Sequence, residues 1–113
     1  MSDNCLFCKI VAGQIPVVKL HEDDELLAFA DINPQAPTHF LVIPKRHLSG
    51  MGTVGPADEA LIGKLMRVGA ELARAHGAPN FRLVINNGAE AGQTVFHLHL
   101  HVLAGRPMRW PPG

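Results

Sequence analysis

Three histidines near the C-terminal end of the chain have the clearest capacity for chemistry. His97, His99 and His101, here called the histidine row, alternate with apolar residues over positions 96–103. Successive side chains of a β-strand point to opposite faces. We therefore expect the three imidazoles to line one face of a strand and the apolar residues, beginning with Phe96, to face the core.

Such a row is compatible with a polar strand face, a metal site or a nucleophilic site. A plain polar face is the least expected of these, because it would not need three histidines. Two histidines at i, i+2 can share a zinc ion, but the outer pair is about 13 Å apart along a strand and Zn–N bonds are about 2.1 Å long. A neutral imidazole is also a good nucleophile near pH 7, and a protonated neighbour can stabilise an anion. Spacing alone leaves metal binding and nucleophilic catalysis open.

The segment just before the histidine row is rich in glycine and asparagine, from Asn86 to Gly92. Glycines allow a turn whose backbone N–H groups converge on an anion. Gln93 and Thr94 add a side-chain amide and a hydroxyl. Donors followed by imidazoles suit a phosphoryl group, although an ordinary hairpin turn has the same composition.

The cysteines of the chain are Cys5 and Cys8, in a Cys-x-x-Cys pattern. Two cysteines cannot build a disulfide framework, so we expect cytosolic thiols, metal ligands or a redox pair. A redox pair would require a thioredoxin-like βαβ context, which the surrounding pattern lacks. A zinc site would require two further ligands.

Hydrophobic periodicity and turn residues predict the elements that position these groups. We expect a short helix over 5–12, a long helix over 57–76, and strands over 17–20, 26–32, 38–43, 81–85 and 95–103. The buried face of the long helix is expected to comprise Ile62, Leu65, Met66, Gly69, Leu72 and Ala73, with Gly77 as its C-terminal cap. Strands joined by short turns, with one long helix on them, indicate an antiparallel sheet in an α+β fold.

The composition excludes several classes of protein. The 113 residues include 10 Lys+Arg and 10 Asp+Glu, and this balanced charge offers no basic surface for nucleic acid or an anionic membrane. A hydrophobic content of 47% excludes a disordered chain. The longest apolar run, Leu26–Ala30, is far shorter than the roughly 18 residues of a membrane span. The N-terminus does not read as a secretory signal, so we expect a cytoplasmic protein.

Residues 92–103 resemble the motif of the histidine triad (HIT) superfamily, in which three histidines alternate with apolar residues. Residues 29–45 resemble its second diagnostic block, and the Trp-Pro-Pro-Gly ending at 110–113 resembles that of its Hint branch. The resemblance implies a single HIT domain over 1–113, with a five-stranded antiparallel sheet, one long and one short helix, and a proline-rich tail at 106–113. It also implies a homodimer.

The Hint branch comprises purine nucleoside phosphoramidases, and the resemblance implies catalytic roles accordingly. His99 matches the nucleophile, which attacks the α-phosphorus, expels the amine and forms a covalent nucleotidyl-histidine; water then releases AMP or GMP. His101 favours hydrolysis over nucleotidyl transfer, and Thr94 stands where the family usually has serine. His97 and His39 complete the catalytic set that the resemblance implies, and adenosine is the expected nucleoside.

The resemblance also implies binding residues for the nucleotide. Asp31 matches the carboxylate that holds the ribose, Asn86 a polar position near the phosphate, and Trp110 a tail residue that reaches the site of the second subunit. The positions that match the walls of the base pocket are Phe7, Ile10, Pro16 and Ile32, and those that match phosphate donors are Gly92, Gln93 and Thr94.

Bacterial-type HIT proteins often bind zinc through a cysteine pair and two histidines, and the matching residues are Cys5, Cys8, His47 and His97. The resemblance thus implies a closed Cys₂His₂ site, in which zinc is structural and no cofactor takes part in catalysis. Two rival functions stay open: a dinucleoside polyphosphate hydrolase of the same superfamily, and a nucleotide- or zinc-binding interaction protein without catalysis. The Trp-Pro-Pro-Gly ending favours the phosphoramidase over the polyphosphate hydrolase.

Overall fold

The computed structural model describes residues 4–113, and the first three positions of the expected domain lie outside this range. The helices are α1, Leu6–Val11, and α2, Glu59–Ala75. The strands are β1, Lys19–Glu22; β2, Leu26–Ala30; β3, Thr38–Pro44; β4, Phe81–Val84; and β5, Leu100–Ala104. Short 3₁₀ turns lie at Met51–Thr53, Pro56–Asp58 and Ala89–Ala91.

The five strands form one antiparallel sheet in the order β1-β2-β3-β5-β4. The last strand of the chain lies between β3 and β4, where His39 pairs with Leu103 and Leu41 pairs with His101. Within residues 4–113, β1 and β4 are the edges of this sheet. The arrangement confirms the predicted α+β fold with its five-stranded antiparallel sheet, one long helix and one short helix.

The histidine segment differs from its prediction, because only its second half is a strand. The strand expected over 95–103 begins at Leu100, and Phe96 is 51% exposed instead of lying in the core. Upstream of Leu100 the backbone leaves the ladder, and the Leu98 N–H donates to the Leu48 carbonyl at 2.6 Å. A tertiary hydrogen bond thus replaces the strand pairing that the alternation predicted.

Two other strands differ from their predicted bounds by two residues. The first strand begins at Lys19 instead of position 17 and continues to Glu22 instead of ending at position 20, and a bulge lies between Lys19 and His21. β2 ends just before Asp31, two residues earlier than expected. The Asp31 carboxylate accepts the Asn33 N–H at 2.8 Å, and this local bond turns the chain.

One stripe of α2 packs on the sheet. Leu65 and Ala73 are fully buried, and Val68 and Gly69 are also buried. Met66, which was expected on this face, is 36% exposed. The buried positions follow the i, i+3, i+4, i+8 spacing of a narrow helical face, which includes Val68 and excludes Met66.

The C-terminus of α2 has the predicted glycine cap. Gly77 adopts a φ of +78°, in the left-handed region that glycine enters without steric cost. Its N–H donates to the Arg74 carbonyl at 2.9 Å, and the Ala78 N–H donates to the Ala73 carbonyl at 3.0 Å. These two bonds satisfy carbonyls that the helix itself leaves without partners.

Gly69 allows α2 to lie close to the sheet. A Cβ at this position would lie 2.8 Å from Leu100 Cδ2 and 3.3 Å from Val102 Cγ2. We expect Gly69→Ala to lower the free energy of unfolding by about 1–3 kcal/mol, because packed side chains of β5 must move. Gly63→Ala on the same helix is the matched control: nothing lies within 4 Å of its added Cβ, and helix propensity should raise stability by about 0.5–1 kcal/mol. Chemical denaturation measures both, and equal effects at the two positions would contradict the packing argument.

The opposite face of the sheet is covered in part by α1. Phe7 and Ile10 are buried there together with Leu27, Phe29 and Leu41. The space beside α1 on this face is where the histidine row lies. Within residues 4–113, neither helix combines the length and hydropathy needed to cross a bilayer.

Candidate active site

A pocket of about 640 Å³ lies beside α1, with walls from α1, the end of β2, the loop after it and the histidine segment. A cleft of about 720 Å³ between the end of α2 and the C-terminal tail contains His76 but no member of the histidine row. We therefore take the pocket beside α1 as the candidate active site. The predicted site residues that line it are Phe7, Ile10, Pro16, Asp31, Ile32, His39, Gly92, Thr94, His99 and His101.

The backbone holds His99 in one tautomer. Its Nδ1 lies 2.7 Å from the His97 carbonyl oxygen, and because a carbonyl only accepts, Nδ1 carries the proton. Nε2 keeps its lone pair, as a nucleophile requires. The ring is 7% exposed and packs edge-to-face on Phe7, with ring centroids 5.1 Å apart. Hydrogen bonding and packing together orient this imidazole.

His39 and His101 form a hydrogen-bonded pair next to His99. The Gln35 backbone N–H donates to Nδ1 of His39 at 3.0 Å, so a neutral His39 carries its proton on Nε2. This Nε2–H donates to Nδ1 of His101 at 2.9 Å, which leaves the proton of His101 on its own Nε2. The rings of His99 and His101 have centroids 5.0 Å apart. Nε2 of His99 thus presents a lone pair, and Nε2 of the neighbouring His101 presents an N–H donor.

Burial keeps His39 and His101 neutral at pH 7. Desolvation lowers the pKa of His39, and the Asp31 carboxylate, 3.4 Å from its Nε2, opposes that effect. Desolvation, with smaller effects of His99 and His39, lowers the pKa of His101 to about 4. Ligand atoms of Asp31, His39 and His101 lie within 4.8 Å of one another, as a metal site requires. A metal on Nε2 of His39 would need a deprotonated ring, however, because Nδ1 already accepts from Gln35.

The buried His101 predicts a stability that falls on acidification. Folding lowers its pKa from the usual 6.5 to about 4, so between these values the unfolded chain binds a proton that the folded chain does not. The resulting loss of stability is absent above pH 6.5 and grows as the pH falls from 6.5 to about 4. We expect the melting temperature of the wild type to fall more steeply from pH 6.5 to pH 4.5 than that of His101→Gln. Calorimetry at several pH values measures both slopes, and parallel slopes would contradict the lowered pKa.

Many hydrogen-bonding groups of the glycine-rich turn are engaged within the turn or with neighbouring backbone. The Gln93 side chain accepts the Gly88 N–H at 2.8 Å and donates to the Ser49 carbonyl at 2.7 Å. The Gly92 N–H donates to a carbonyl within the turn at 3.0 Å. Gln93 is therefore buried behind the turn and is not part of the pocket lining, whereas Thr94 is.

Two further predicted contact residues lie outside the lining of this pocket. Asn86 is half-buried behind the turn, with its Nδ2 3.6 Å from the point where a Cβ on Gly92 would lie. Trp110 is 83% exposed on the tail. Arg82 anchors that tail by donating to the Arg109 carbonyl at 2.9 Å. The structure therefore brings His39, His99, His101 and Thr94 to one pocket, whereas Asn86 and Trp110 are not among its lining residues.

The four predicted zinc ligands come together beside the pocket. Cys5 Sγ lies 3.3 Å from Nδ1 of His97, Cys8 Sγ lies 3.3 Å from Nδ1 of His47, and the two Nδ1 atoms are 3.2 Å apart. A tetrahedral zinc ion, with bonds of about 2.1 Å to nitrogen and about 2.3 Å to sulfur, separates its ligands by roughly 3.4–3.8 Å. The separations here are only slightly shorter, so this cluster could bind a metal and fits zinc in both geometry and donor type.

His97 connects the metal-ligand cluster to His99. Its Nε2 donates to the Pro44 carbonyl at 2.8 Å, which leaves the lone pair of Nδ1 directed at the cysteine sulfurs. The ring is fully buried. The backbone carbonyl of the same residue accepts from Nδ1 of His99. A displacement of His97 would therefore disturb the tautomer of the central histidine.

Several contributors to the site were missed by sequence reasoning. Gln35 and Pro44 act through a backbone N–H and a backbone carbonyl, and residue type gives no signal for either contact. Ile15 and Val17 flank the predicted Pro16 and could have been inferred from that position. The other missed apolar lining residues have the composition of ordinary core, namely Leu6, Phe29, Ala30, Leu41 and Val95.

Comparison with protein families matches residues 12–108 to the HIT domain. An uncharacterised HIT-like protein of Synechocystis is 54% identical over 114 residues, which cover all of both chains. Protein HitA of Neisseria gonorrhoeae is 46% identical over 107 residues, which cover 94% of this chain and 99% of HitA.

Solved structures share the fold. A HIT family hydrolase from Legionella pneumophila matches with a TM-score of 0.95 and 48% identity, over 97% of this chain and 100% of that one. A histidine triad protein from Clostridium difficile matches with a TM-score of 0.92 and 39% identity, over 96% of each chain. With the family match and the close relatives, this shared architecture shows that the chain belongs to the HIT family.

Proposed function

We propose that this protein hydrolyses the P–N bond of purine nucleoside 5′-phosphoramidates and releases AMP or GMP and an amine. The observation that carries the proposal is the orientation of His99, whose Nδ1 donates to the His97 carbonyl at 2.7 Å. Its Nε2 is then a lone-pair nitrogen in a pocket of nucleotide size. Similarity to a HIT family hydrolase from Legionella pneumophila supports hydrolytic chemistry.

The reaction takes place in two displacements at the α-phosphorus. In the first, the lone pair on Nε2 of His99 forms an N–P bond while the bond to the amine breaks, and the amine leaves with the bonding electrons and takes up a proton. In the second, water attacks the phosphorus and loses a proton, and the bond to His99 breaks. The nucleoside monophosphate is released and the imidazole is restored. The covalent intermediate divides one difficult displacement into two easier ones.

Neighbouring side chains stabilise the charge that develops on the phosphoryl oxygens. His101 donates from Nε2, and the Thr94 hydroxyl at the pocket wall is a second donor. Such donors are effective because they are already oriented before the charge develops. His39 is a positioning residue that acts through His101, since its Nε2–H fixes the tautomer of that ring.

The apolar part of the pocket accepts the purine base, with adenine preferred. Phe7 and Ile10 on α1 form its inner wall, next to Pro16. Ile32 is 97% exposed at the rim, where a bound base would bury it and gain hydrophobic stabilisation. The Asp31 carboxylate accepts hydrogen bonds from the ribose hydroxyls, which fixes the sugar relative to His99.

A structural zinc ion is part of the same proposal. Cys5, Cys8, His47 and His97 would hold it, and their separations suit its tetrahedral geometry. The bound ion would supply rigidity and not reaction chemistry, because four protein ligands leave no position for substrate. The chain's own residues perform every step at phosphorus.

A homodimer and a cytoplasmic location complete the proposal. β4 is an edge strand, and an exposed edge is a template on which a second copy can pair. Trp110, which is exposed and does not line its own pocket, would then reach the site of the second subunit. Zinc binding requires reduced cysteines, and reduced cysteines fit a reducing compartment. The balanced charge supports neither nucleic acid nor membrane as a partner.

Turnover of adenosine 5′-phosphoramidate by the wild-type protein tests this function. Release of AMP, together with a nucleotidyl-protein intermediate detected by mass spectrometry after rapid quenching, would support it. Diadenosine polyphosphates assayed in parallel test the rival hydrolase, and cleavage of these alone would replace the proposed activity. Folded protein that binds AMP but cleaves neither substrate would show a binding protein instead of an enzyme.

A further inference from the structure

The loop between β2 and β3, residues 31–37, carries the backbone group that fixes the tautomers of the histidine pair. The Gln35 N–H donates to Nδ1 of His39 at 3.0 Å. The Nε2–H of His39 then donates to Nδ1 of His101 at 2.9 Å. His101 keeps its proton on Nε2 as long as this series of donors is unbroken. The direction of one backbone N–H in the loop therefore decides where two imidazoles carry their protons.

This loop has little to hold it in place by itself. Asn33, Pro34 and Gln35 are exposed and lie outside the sheet. The hydrogen bonds inside the loop join residues only two positions apart: the Asn33 N–H donates to the Asp31 carboxylate at 2.8 Å, and the Gln35 amide donates to the Asn33 carbonyl at 3.0 Å. An exposed segment with such short-range bonds opens easily. A contact from another part of the chain is needed to fix the Gln35 backbone.

Arg106, the second residue after β5, makes that contact from 71 positions away. Its Nε donates to the Gln35 carbonyl at 3.0 Å, and its Nη1 donates to the Pro107 carbonyl at 3.0 Å. The donors of a guanidinium group have fixed directions in one plane, so the bond to Pro107 orients the bond to Gln35. Both backbone groups of Gln35 are thus engaged, the carbonyl with Arg106 and the N–H with His39.

A second contact joins the same two segments. A Cβ on Gly105 would lie 2.8 Å from Cβ of Pro37, so the backbone after β5 lies directly against this proline ring. Thr38 pairs with Ala104, which places the contact at the end of the β3–β5 ladder, with Arg106 just beyond it. The strand that carries His101 therefore leads directly to the residue that holds the loop.

We propose that Arg106 is a positioning residue for the proposed hydrolysis and keeps the proton of His101 on Nε2. It acts through the Gln35 backbone and the His39 ring. The inference rests on the proposed function, in which the Nε2–H of His101 donates to the phosphoryl oxygens.

Loss of the Arg106 side chain would release the bond at the Gln35 carbonyl, and the N–H of the same residue would no longer stay directed at His39. A neutral His39 can then carry its proton on Nδ1, so that its Nε2 accepts from Nδ1 of His101 instead of donating to it. Nε2 of His101 would then present a lone pair where the reaction requires a donor.

Nitrogen NMR of protein labelled at histidine reads these tautomers directly and needs no substrate. In the wild type, the His101 ring should have a protonated Nε2 and an unprotonated Nδ1. In Arg106→Ala and in Arg106→Gln, we expect shifts that report a mixture of both tautomers. Arg74→Ala is the control, because it removes the same charge from an exposed position on α2, and it should keep the wild-type tautomer. A wild-type His101 tautomer in both Arg106 variants would overturn the proposal.

Steady-state kinetics with adenosine 5′-phosphoramidate provide the second readout. In Arg106→Ala, kcat should fall about fivefold, because only the fraction of chains with the competent tautomer turns over. KM should change by less than about twofold, since Arg106 does not line the pocket. Arg106→Lys, which keeps the charge but not the planar group, should recover part of the loss, and Arg74→Ala should retain the wild-type kcat. Melting temperatures measured in parallel identify any variant that is not folded, and Arg106→Gln carries the same expectation as Arg106→Ala.

A double-mutant cycle shows whether Arg106 acts through His39. In a His39→Ala background, adding Arg106→Ala should lower kcat by less than about twofold, because the series of donors is already broken. A second fivefold loss in that background would overturn the proposed route. Absence of turnover by the wild type would instead overturn the proposed function, and the NMR comparison would still decide whether Arg106 fixes the tautomer.

Discussion

Replacing His99 by alanine is expected to lower the rate of AMP release from adenosine 5′-phosphoramidate by at least about 10⁴-fold, as removal of a nucleophile does in other covalent mechanisms. The imidazole supplies the attacking Nε2, whereas the other two imidazoles that line the pocket, those of His39 and His101, carry their protons on Nε2. His101 has its proton on Nε2, because its Nδ1 accepts from His39. AMP affinity should change by less than about tenfold, since Asp31 and the apolar wall hold the nucleotide.

Steady-state kinetics and calorimetric titration with AMP measure these two effects separately. His76→Gln is the control, because His76 is exposed at the end of α2 and should retain full activity. His99→Gly adds a sharper test: free imidazole should restore part of the activity and should form a nucleotidyl-imidazole in solution. If His99→Ala keeps more than about 1% of the wild-type rate, another group is the nucleophile.

Replacing Cys8 by serine is expected to have the largest effect on stability. It removes one of the four proposed zinc ligands, so the purified variant should contain less zinc and melt at least about 10 °C lower, which corresponds to roughly 2.4 kcal/mol for a domain of this size. α1 has only 6 residues, and a helix so short is not stable alone. Its Phe7 and Ile10 form the pocket wall, so kcat/KM should fall as well.

A chelator provides the internal control for this variant. Wild-type protein treated with a strong chelator should melt close to Cys8→Ser, whereas Cys8→Ser itself should not respond to the chelator. Metal analysis of the purified wild type should give about one zinc per chain. A melting temperature that is the same with and without chelator, in protein free of metal, would contradict a structural zinc ion.

The sheet and α2 could be predicted because their signals are local. The spacing of Leu65, Gly69 and Ala73 repeats with the helical period, and Gly77 follows directly as a cap. The strand expected over 95–103 shows where local signals fail. Its alternation is regular along the whole segment, yet the Leu98 N–H pairs with Leu48, on a distant segment, instead of with a neighbouring strand. No pattern within the segment encodes that partner.

In the candidate site, too, the sequence predicts which side chains can do chemistry but not which contacts they make. The chemistry of His99, His101 and Asp31 follows from their side chains, and the pocket contains all three. Gln93 has the right donors for phosphate, but its amide is engaged with the Ser49 backbone, and only the folded arrangement reveals this. Backbone groups that fix the tautomers are present at almost every position, so the sequence does not distinguish them.

The contact between Cys5 and His97 joins positions 92 residues apart. A permanent link of that span would destabilise the unfolded ensemble by about 4–5 kcal/mol, because it reduces the conformational entropy of the unfolded chain. A bound metal would act in the same way on the segment between Cys5 and His97. During synthesis α1 is translated before the strands of the sheet, whereas its anchor His97 is translated only after β4. A nascent chain that has not reached position 97 can have neither the finished pocket wall nor the carbonyl that orients His99. The candidate active-site pocket therefore forms only after α1 and every segment up to the histidine row have been translated.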